Sequence, residues 1–509
     1  MSRAAVLAGA LSAILWLALI QLLAGLEAGV FEYPLDDVYI HLAIAQRIAL
    51  GTYGINPGEP ASAASSVLYP LLLTPFPGTG FQRLLPAIWN ALGVGAAGAL
   101  WGRAAAQLGA WPGLAAAVLG PPLLFISGVG FTGMEHALHL VASLLTLFGL
   151  WLWLTEGRLT GWFAVALIVA PLLRFEGLAL SLLAAGAVAV TGRARAGILL
   201  GAGAVLPVVL FGLFLASQGL SPIPNSVQAK TGALVPGVSG LERIVATFQW
   251  NTRHAYGLFL LALPLGMTLL ALLSRERAAR ILLLVAAVAM VAHLALGQVG
   301  WMSRYEVQAV VTSLAALMLV AGVGGMGIAA RAIPGMLLIL GLGFGLRATI
   351  VETFGIYVHN PRAIHLQQAQ MARFSHGFLP QPVAVNDLGR VAWNAPAYVL
   401  DLWGLASAEA LHLRFASAGV PGWAGPLVAG AGVRYAMIYD TWLGEAAAPG
   451  WIRMGELRYS GPGVFLGGRE VAFYATDPAL APRMREALEA WATDLPEGAS
   501  FVFDAEPGR

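Results

Sequence analysis

The sequence predicts a polytopic α-helical membrane protein with about eleven transmembrane helices and a C-terminal extracytoplasmic α/β domain. Three observations predict this fold class. Of 509 residues, 58% are hydrophobic and only 11% are charged, whereas soluble globular proteins carry about 25% charged residues. Apolar stretches long enough to cross a bilayer recur through residues 1–351. Hydropathy then falls, and residues 352–509 have the pattern of a soluble domain.

The apolar stretches give the individual spans. We expect them at residues 4–26, 82–102, 111–128, 134–154, 160–174, 177–191, 196–216, 255–273, 279–298, 305–325 and 332–351. The first is long for a signal-peptide core and is interpreted as a retained signal-anchor helix. The run 66–77 is too short to cross and contains three prolines. We therefore expect it, with the amphipathic stretch 38–50, to form juxtamembrane helices in the first outer loop.

Arginines in the short loops predict the orientation. One side of the predicted bundle collects Arg3, Arg103, Arg158, Arg193, Arg195, Arg275, Arg277, Arg280 and Arg331. The opposite short loops hold only Arg174 and Arg304. Because positively charged loops stay in the cytoplasm, the second side should face outward, together with residues 352–509.

Within residues 352–509, apolar runs that end in turns predict strands at 382–387, 434–439 and 470–474. A helix is expected over 478–491, with Asp477 as its N-cap. The net charge of +2 gives no reason to expect nucleic acid as a partner. The sequence has no cysteine, which excludes disulfides and thiolate chemistry.

The strongest candidate site is the acidic pair Asp36-Asp37, just past the first span. Carboxylates at a membrane face are costly to desolvate and need a partner, a metal or a catalytic role. Asp36 could simply cap the helix that starts near Val38. Asp37 and His41 are four residues apart and should share a helix face. The pair could also bind a divalent cation, since oxygen ligands suit Mg²⁺, Mn²⁺ or Ca²⁺.

Other polar residues lie at the predicted outer ends of spans, and each has a structural alternative. Glu135 could cap the helix that follows it. Arg174 and Glu176 could pair only with each other. Lys230, the only lysine, could snorkel to the interface.

Arg304 stands at the outer end of a later span and could bind a phosphate. Residues 51–60 are rich in turn formers. The Ser/Ala-rich segment 61–66 could line a polar cavity, although composition favours a flexible linker. One aqueous-facing pocket would explain all of these polar groups together.

The ordered set of these segments resembles the GT-C superfamily of membrane glycosyltransferases, in particular a bacterial branch that includes arabinofuranosyltransferases of the mycobacterial cell wall. The motifs that carry the resemblance are Asp36-Asp37-Val38-Tyr39-Ile40, Gly54-Ile55-Asn56-Pro57-Gly58 with Ser65-Ser66, Gly133-Met134-Glu135, Arg174-Phe175-Glu176-Gly177, Pro224-Asn225 through Lys230, and Val385-Asn386-Asp387-Leu388-Gly389. They occur over most of the chain.

The resemblance implies a catalytic module over 1–351 that transfers a sugar from a polyprenyl-phosphate donor at the outer face of the plasma membrane. A glycan, lipid or protein of the cell envelope would be the acceptor. Asp37 or Asp36 would act as the base in an inverting displacement, with Glu135 orienting the base or binding the acceptor. Substrate-binding candidates are Lys230, Arg174, Arg304, His41, Asn225 and Glu176. No cofactor should be required.

Two other classes fit the same residues. A transporter or lipid flippase also places charges in a membrane domain, but it predicts them near the midplane and in broken helices of corresponding halves. A non-catalytic assembly subunit would use the outer domain to bind a partner protein.

Overall fold

The computed structural model describes residues 2–231, 234–235, 237–322, 328–462 and 464–504. Its first part is a helical bundle and its second part is a mixed sheet flanked by helices. Residues 323–325 of the predicted span 305–325, and the side chain of Arg331, lie outside the described part. The fold class predicted from composition and hydropathy is confirmed.

Eight helices in the described residues are long and apolar enough to cross a membrane. They are Arg3–Ala28, Gly80–Leu108, Ala110–Phe131, His136–Glu156, Ala194–Ser217, Ala255–Leu273, Arg277–Leu296 and Ala332–Phe378. Three shorter apolar helices, Gly161–Leu173, Gly177–Val190 and Val307–Ala321, match the other predicted spans. The chain is therefore a multi-pass membrane protein, and the number eleven stays a prediction.

The remaining helices of the first part lie in loops that meet at one end of the bundle. They are Asp37–Ala49, Tyr69–Leu72, Asn225–Thr231 and Gly240–Thr252. The run 66–77 thus contains only one helical turn, because Pro75 and Pro77 prevent its extension. Helix Asp37–Ala49 buries every residue from Val38 to Ala45. It is therefore packed inside the protein and is not the interfacial amphipathic helix expected from the sequence.

The C-terminal part of the chain contains a six-stranded sheet. Its strands are β1 (Val383–Val385), β2 (Val399–Asp401), β3 (Tyr435–Ile438), β4 (Ile452–Tyr459), β5 (Glu470–Ala475) and β6 (Ala499–Phe503). The order is β2-β1-β3-β5-β4-β6. Strands β1, β2 and β3 are parallel, and β3, β5, β4 and β6 are antiparallel.

Helices surround this sheet and lead into it. Their bounds are Asn360–Leu366, Gln368–Arg373, Gly389–Ala392, Ala408–Ala416, Gly425–Gly430, Asp440–Leu443 and Ala481–Ala492. The three predicted strands and the final helix are confirmed, and the Asp477 side chain accepts a hydrogen bond from the Ala479 N–H as an N-cap. Strands β2, β4 and β6 were not predicted.

The sheet domain is docked on the segment between the first two long helices of the bundle. The Asn56 side chain donates to the Val399 carbonyl (2.9 Å) and accepts from the Val399 N–H (3.0 Å). The Asp36 carboxylate accepts from the N–H groups of Gly389 (2.6 Å) and Arg390 (2.7 Å). These backbone contacts bring the carboxyl ends of β1 and β3 beside the acidic pair.

Candidate functional site

The centre of the site is the ion pair between Asp37 and Arg304. Asp37 is the first residue of helix Asp37–Ala49, and its Oδ2 lies 2.5 Å from Nη2 of Arg304. The arginine side chain is 1% exposed, whereas the aspartate side chain is 33% exposed. Asp37 therefore presents a charged oxygen to the surroundings while a buried cation fixes its position.

Three cations converge on the ring of Tyr305. The guanidinium carbons of Arg304 and Arg174 lie 5.0 and 5.3 Å from the ring centroid, and the Lys230 ammonium lies 5.4 Å from it. Such distances allow cation–π attraction, and they keep three positive charges close together. Residues separated by 130 positions in the chain thus form one positive cluster beside Asp37.

The electrostatics of Asp37 follow from this cluster. Burial alone would raise the pKa of its carboxyl, but the Arg304 guanidinium and the Lys230 ammonium hold that pKa below its ordinary value. Asp37 is consequently ionised at neutral pH.

The turn that carries Arg304 is strained. Trp301, Met302 and Ser303 have φ values of 50°, 62° and 51°, in the left-handed region. For residues other than glycine this conformation costs roughly 1–2 kcal/mol each. The surrounding structure maintains it, and the result is a fixed position for the Arg304 guanidinium at the end of helix Val307–Ala321.

A second group of side chains joins this cluster through Arg174. Its Nη1 donates to Glu135 (2.8 Å) and its Nη2 to Glu176 (2.6 Å). Glu135 also accepts from the Ser65 hydroxyl at 2.9 Å. The His41 Nε2 lies 3.2 Å from Ser65 Oγ and 3.6 Å from Glu135. Burial lowers the pKa of His41 despite the neighbouring carboxylates, so its imidazole is neutral at pH 7.

Several buried polar atoms near Asp37 have no hydrogen-bond partner among the described residues. They include Nε and Nη1 of Arg304, Nδ2 of Asn225 and Nδ1 of His41. An unsatisfied buried donor costs about 1–3 kcal/mol. Nitrogen donors of an arginine and an amide match the oxygens of a phosphate or carboxylate group. The site is therefore suited to an anion.

Three structural alternatives considered from the sequence are wrong. Glu135 precedes its helix but makes no side-chain cap bond, since its carboxylate binds Arg174 and Ser65. Segment 61–66 is not a flexible linker, because Ser62 accepts from the Asn225 N–H and Ala64 accepts from the Ser226 hydroxyl. Arg174 and Glu176 do pair, but Arg174 binds Glu135 as well.

Asp36 is separated in role from its neighbour. It precedes helix Asp37–Ala49 without a side-chain cap bond, so the capping alternative is also wrong. Both of its oxygens bind backbone N–H groups of the sheet domain instead. Burial and the Asp387 carboxyl raise the pKa of Asp36 well above its usual range. Asp36 thus acts in docking the two domains.

Eight of the nine residues predicted from the sequence lie in or next to this cluster, and Asn225 lies on the short helix Asn225–Thr231 that carries Lys230. Tyr305, Ser65 and Asp387 were not among the predicted site residues. Ser65 and Asp387 stand inside motifs that carry the family resemblance, and Tyr305 directly follows Arg304. These positions were the available signal in the sequence. The part of the chain that the structure describes has no group of three His, Cys, Asp or Glu side chains suited to a metal ion.

Comparison with known proteins gives few matches. Residues 359–474 match a family described as a domain of unknown function (DUF8728). No curated protein matches the chain.

Two solved structures are similar. The oligosaccharyltransferase of Archaeoglobus fulgidus, in complex with zinc and sulfate, is 12% identical, with a TM-score of 0.45 over 96% of this chain and 75% of that one. ArnT from Cupriavidus metallidurans, bound to undecaprenyl phosphate, is 14% identical, with a TM-score of 0.41 over 92% and 98%.

Proposed function

We propose that the protein is an inverting glycosyltransferase that moves a sugar from a polyprenyl-phosphate donor to an acceptor of the cell envelope. One observation carries this proposal: a partly exposed, ionised carboxylate, Asp37, stands next to three cations gathered around Tyr305. Sugar transfer from a lipid phosphate needs a base for the acceptor and positive charge for the leaving group. The motif order that resembles the GT-C superfamily supports the same reaction.

Asp37 is the base in this mechanism. The free carboxylate oxygen of Asp37 takes the proton of the acceptor hydroxyl. At the same time, the oxygen of that hydroxyl attacks the anomeric carbon of the donor sugar. The bond from the anomeric carbon to the phosphate oxygen breaks through an oxocarbenium-like transition state. The lipid phosphate leaves with the electron pair, and a single displacement inverts the anomeric configuration.

The cations stabilise the leaving group. Arg304 holds Asp37 with Nη2 and has Nε and Nη1 free of partners among the described residues, so it can bind base and phosphate together. The Lys230 ammonium has no salt bridge to a carboxylate within the described ranges and lies over the Tyr305 ring, where it adds a third positive charge. Arg174 is held by Glu135 and Glu176 and contributes its charge from a fixed position.

The other polar groups around these cations orient the substrates. Asn225 offers an unpaired amide donor from the helix that also carries Lys230. Glu135, Ser65 and His41 form a hydrogen-bonded row that fixes Arg174.

We expect no absolute metal requirement, because cations already face the leaving group. A divalent cation at the acidic pair would bind chiefly through Asp37, as both Asp36 oxygens are engaged.

The location of the charges favours an enzyme over a transporter. Asp37, Glu135, Arg174, Lys230 and Arg304 lie in loops or at helix ends that meet at one end of the bundle. A transport path would need polar groups near the midplane. With the arginine-rich loops in the cytoplasm, the site and the sheet domain face outward from the plasma membrane.

The test is a transfer assay with the purified protein. The protein in lipid nanodiscs would be incubated with radiolabelled polyprenyl-phosphate sugars, one at a time, and a membrane extract as acceptor. We expect one donor to yield labelled product and free lipid phosphate. A second assay follows the movement of the same polyprenyl-phosphate sugars between the leaflets of proteoliposomes. If no donor is consumed in the first assay but the donors move between leaflets in the second, the flippase alternative is correct.

A further inference from the structure

The sheet domain has a second polar cluster at the carboxyl ends of β1 and β3. The chain leaves β1 to form β2 on one side, and β3 then pairs with β1 on the other side. This is a topological switch point, where open α/β sheets form a crevice and bind ligands. The same end of the sheet contacts the acidic pair of the bundle, because the N–H groups of Gly389 and Arg390 donate to Asp36.

Four polar side chains meet there. Asn386 and Asp387 follow β1, Tyr439 follows β3, and Gln368 comes from the preceding helix. The Gln368 Nε2 donates to Asp387 (2.7 Å) and to the Tyr439 hydroxyl (2.8 Å). The Asn386 Oδ1 accepts from the Tyr439 N–H at 2.9 Å. The cluster is fixed by its own hydrogen bonds.

Two atoms of this cluster have no partner among the described residues. They are the Asn386 Nδ2 donor and the Gln368 Oε1 acceptor, and their residues are 4% and 0% exposed. Leaving such groups unpaired costs about 1–3 kcal/mol each. A ligand that both donates and accepts hydrogen bonds would satisfy them. A hydroxyl group does this, and a carboxylate or phosphate can only accept.

The acidic groups of the cluster disfavour anions as ligands. Burial and the neighbouring Asp37 carboxylate raise the pKa of the Asp387 carboxyl, which lies beside Asp36. The nearby Arg390 guanidinium is directed to Glu32, 3.4 Å away. Acidic groups without a neighbouring free cation repel phosphate. A neutral ligand rich in hydroxyls, namely a sugar, fits both the charge and the unpaired atoms.

We infer that Asn386, Asp387 and Gln368 form a binding subsite for the hydroxyls of the acceptor sugar. The inference rests on the proposed function, and it gives the sheet domain a role in that function. Asp36 binds the N–H groups of Gly389 and Arg390, close to this cluster. A sugar bound to the cluster therefore lies beside Asp37. The sheet domain thereby orients the acceptor, and the bundle binds the donor.

A binding experiment tests the subsite without using activity. Full-length protein in nanodiscs would be titrated with neutral methyl glycosides, furanosides and pyranosides of arabinose, mannose, glucose and galactose, followed by saturation-transfer NMR. Asp387→Asn replaces the carboxyl group by an amide of the same size. Asn386→Asp keeps the oxygen that accepts from Tyr439 and removes the free donor. The control is Asp440→Asn, at the same sheet edge but engaged with Tyr474 and Arg453.

We expect at least one glycoside to bind the wild type, with affinity about tenfold lower in each of the two variants and unchanged in the control. Binding of a polyprenyl phosphate should be equal in all four proteins. The subsite is refuted if no glycoside binds the wild type, or if both variants bind it as well as the wild type does. If glycosides bind as expected but no donor sugar is ever transferred, the subsite stands and the proposed function fails.

Discussion

At the residue scale, the chemistry depends on how two adjacent aspartates are divided between two roles. Asp36 has both oxygens on backbone donors of the sheet domain, and Asp37 has one oxygen on Arg304. Their positions in the sequence are equivalent, but they point to different neighbours. Only Asp37 combines exposure with a neighbouring cation cluster, and this makes it the base in the proposed mechanism.

Replacing Asp37 by Asn should abolish practical turnover. A positioned base contributes about 10²–10⁴-fold, and the amide cannot accept the acceptor proton. The amide still fits the space beside Arg304, so donor binding should persist. The measurement is labelled product formed per minute, alongside donor binding. Asp494→Asn, at an exposed ion pair with Arg373, is the control. Equal turnover in Asp37→Asn and wild type would show that Asp37 is not the base.

The acid limb of the pH–rate profile should respond to Arg304. The proposed reaction needs the Asp37 carboxylate, and the cations lower the pKa of this group. The wild type therefore loses activity only when the pH falls below the ordinary pKa of an aspartate, about 4. Arg304→Gln removes the charge that most lowers the Asp37 pKa. Burial then raises that pKa, and the acid limb of the profile moves to higher pH.

The control for this profile is Arg158→Gln, an exposed arginine in a loop at the opposite end of the bundle. Its limb should coincide with that of the wild type. An unchanged limb in Arg304→Gln would mean that another group titrates.

At the scale of elements, the sequence predicts those with a strong pattern and misses those without one. Buried strands β3 and β5 are short apolar runs and were predicted. Strand β2 has only three residues, and β4 contains three charged residues and a glycine, so neither has a clear period. Their backbone partners are supplied by neighbouring strands that lie far away in the chain.

The contact between Asp36 and helix Gly389–Ala392 should be intolerant of added volume. A Cβ at Gly389 would lie 2.1 Å from the Asp36 carbonyl oxygen, too close for any rotation to relieve. Gly389→Ala should therefore destabilise domain docking by about 1–3 kcal/mol. It would be measured as a lower unfolding temperature and faster proteolysis between the domains. Gly377→Ala, with nothing within 4 Å of the new Cβ, should match the wild type.

At the scale of the whole molecule, the predicted outer loops meet at one end of the bundle. Segments near residues 37, 65, 135, 174, 230 and 304 contact one another there, directly or through Tyr305. This agreement supports the assignment of 66–77 as a segment that does not cross. An additional crossing would put the later loops on the opposite side from Asp37.

Cysteine labelling tests the orientation, because the natural sequence contains no cysteine and gives no background. Ala418→Cys introduces a thiol on the exposed surface of the sheet domain, and Thr155→Cys introduces one at the opposite end of the bundle. A membrane-impermeant maleimide should label the first in intact cells and the second only after permeabilisation. The reverse pattern would invert the proposed topology.

The amino-acid sequence alone was enough to predict the membrane class, the apolar helices, an orientation and the polar residues of the candidate site. These features depend on composition and local periodicity, which a single chain displays directly. Tertiary structure alone decided that Asp36 docks the sheet domain, that three cations share Tyr305, and that the switch point of the sheet lies beside Asp37. Each of these depends on segments separated by many residues, and only packing fixes which side chains meet.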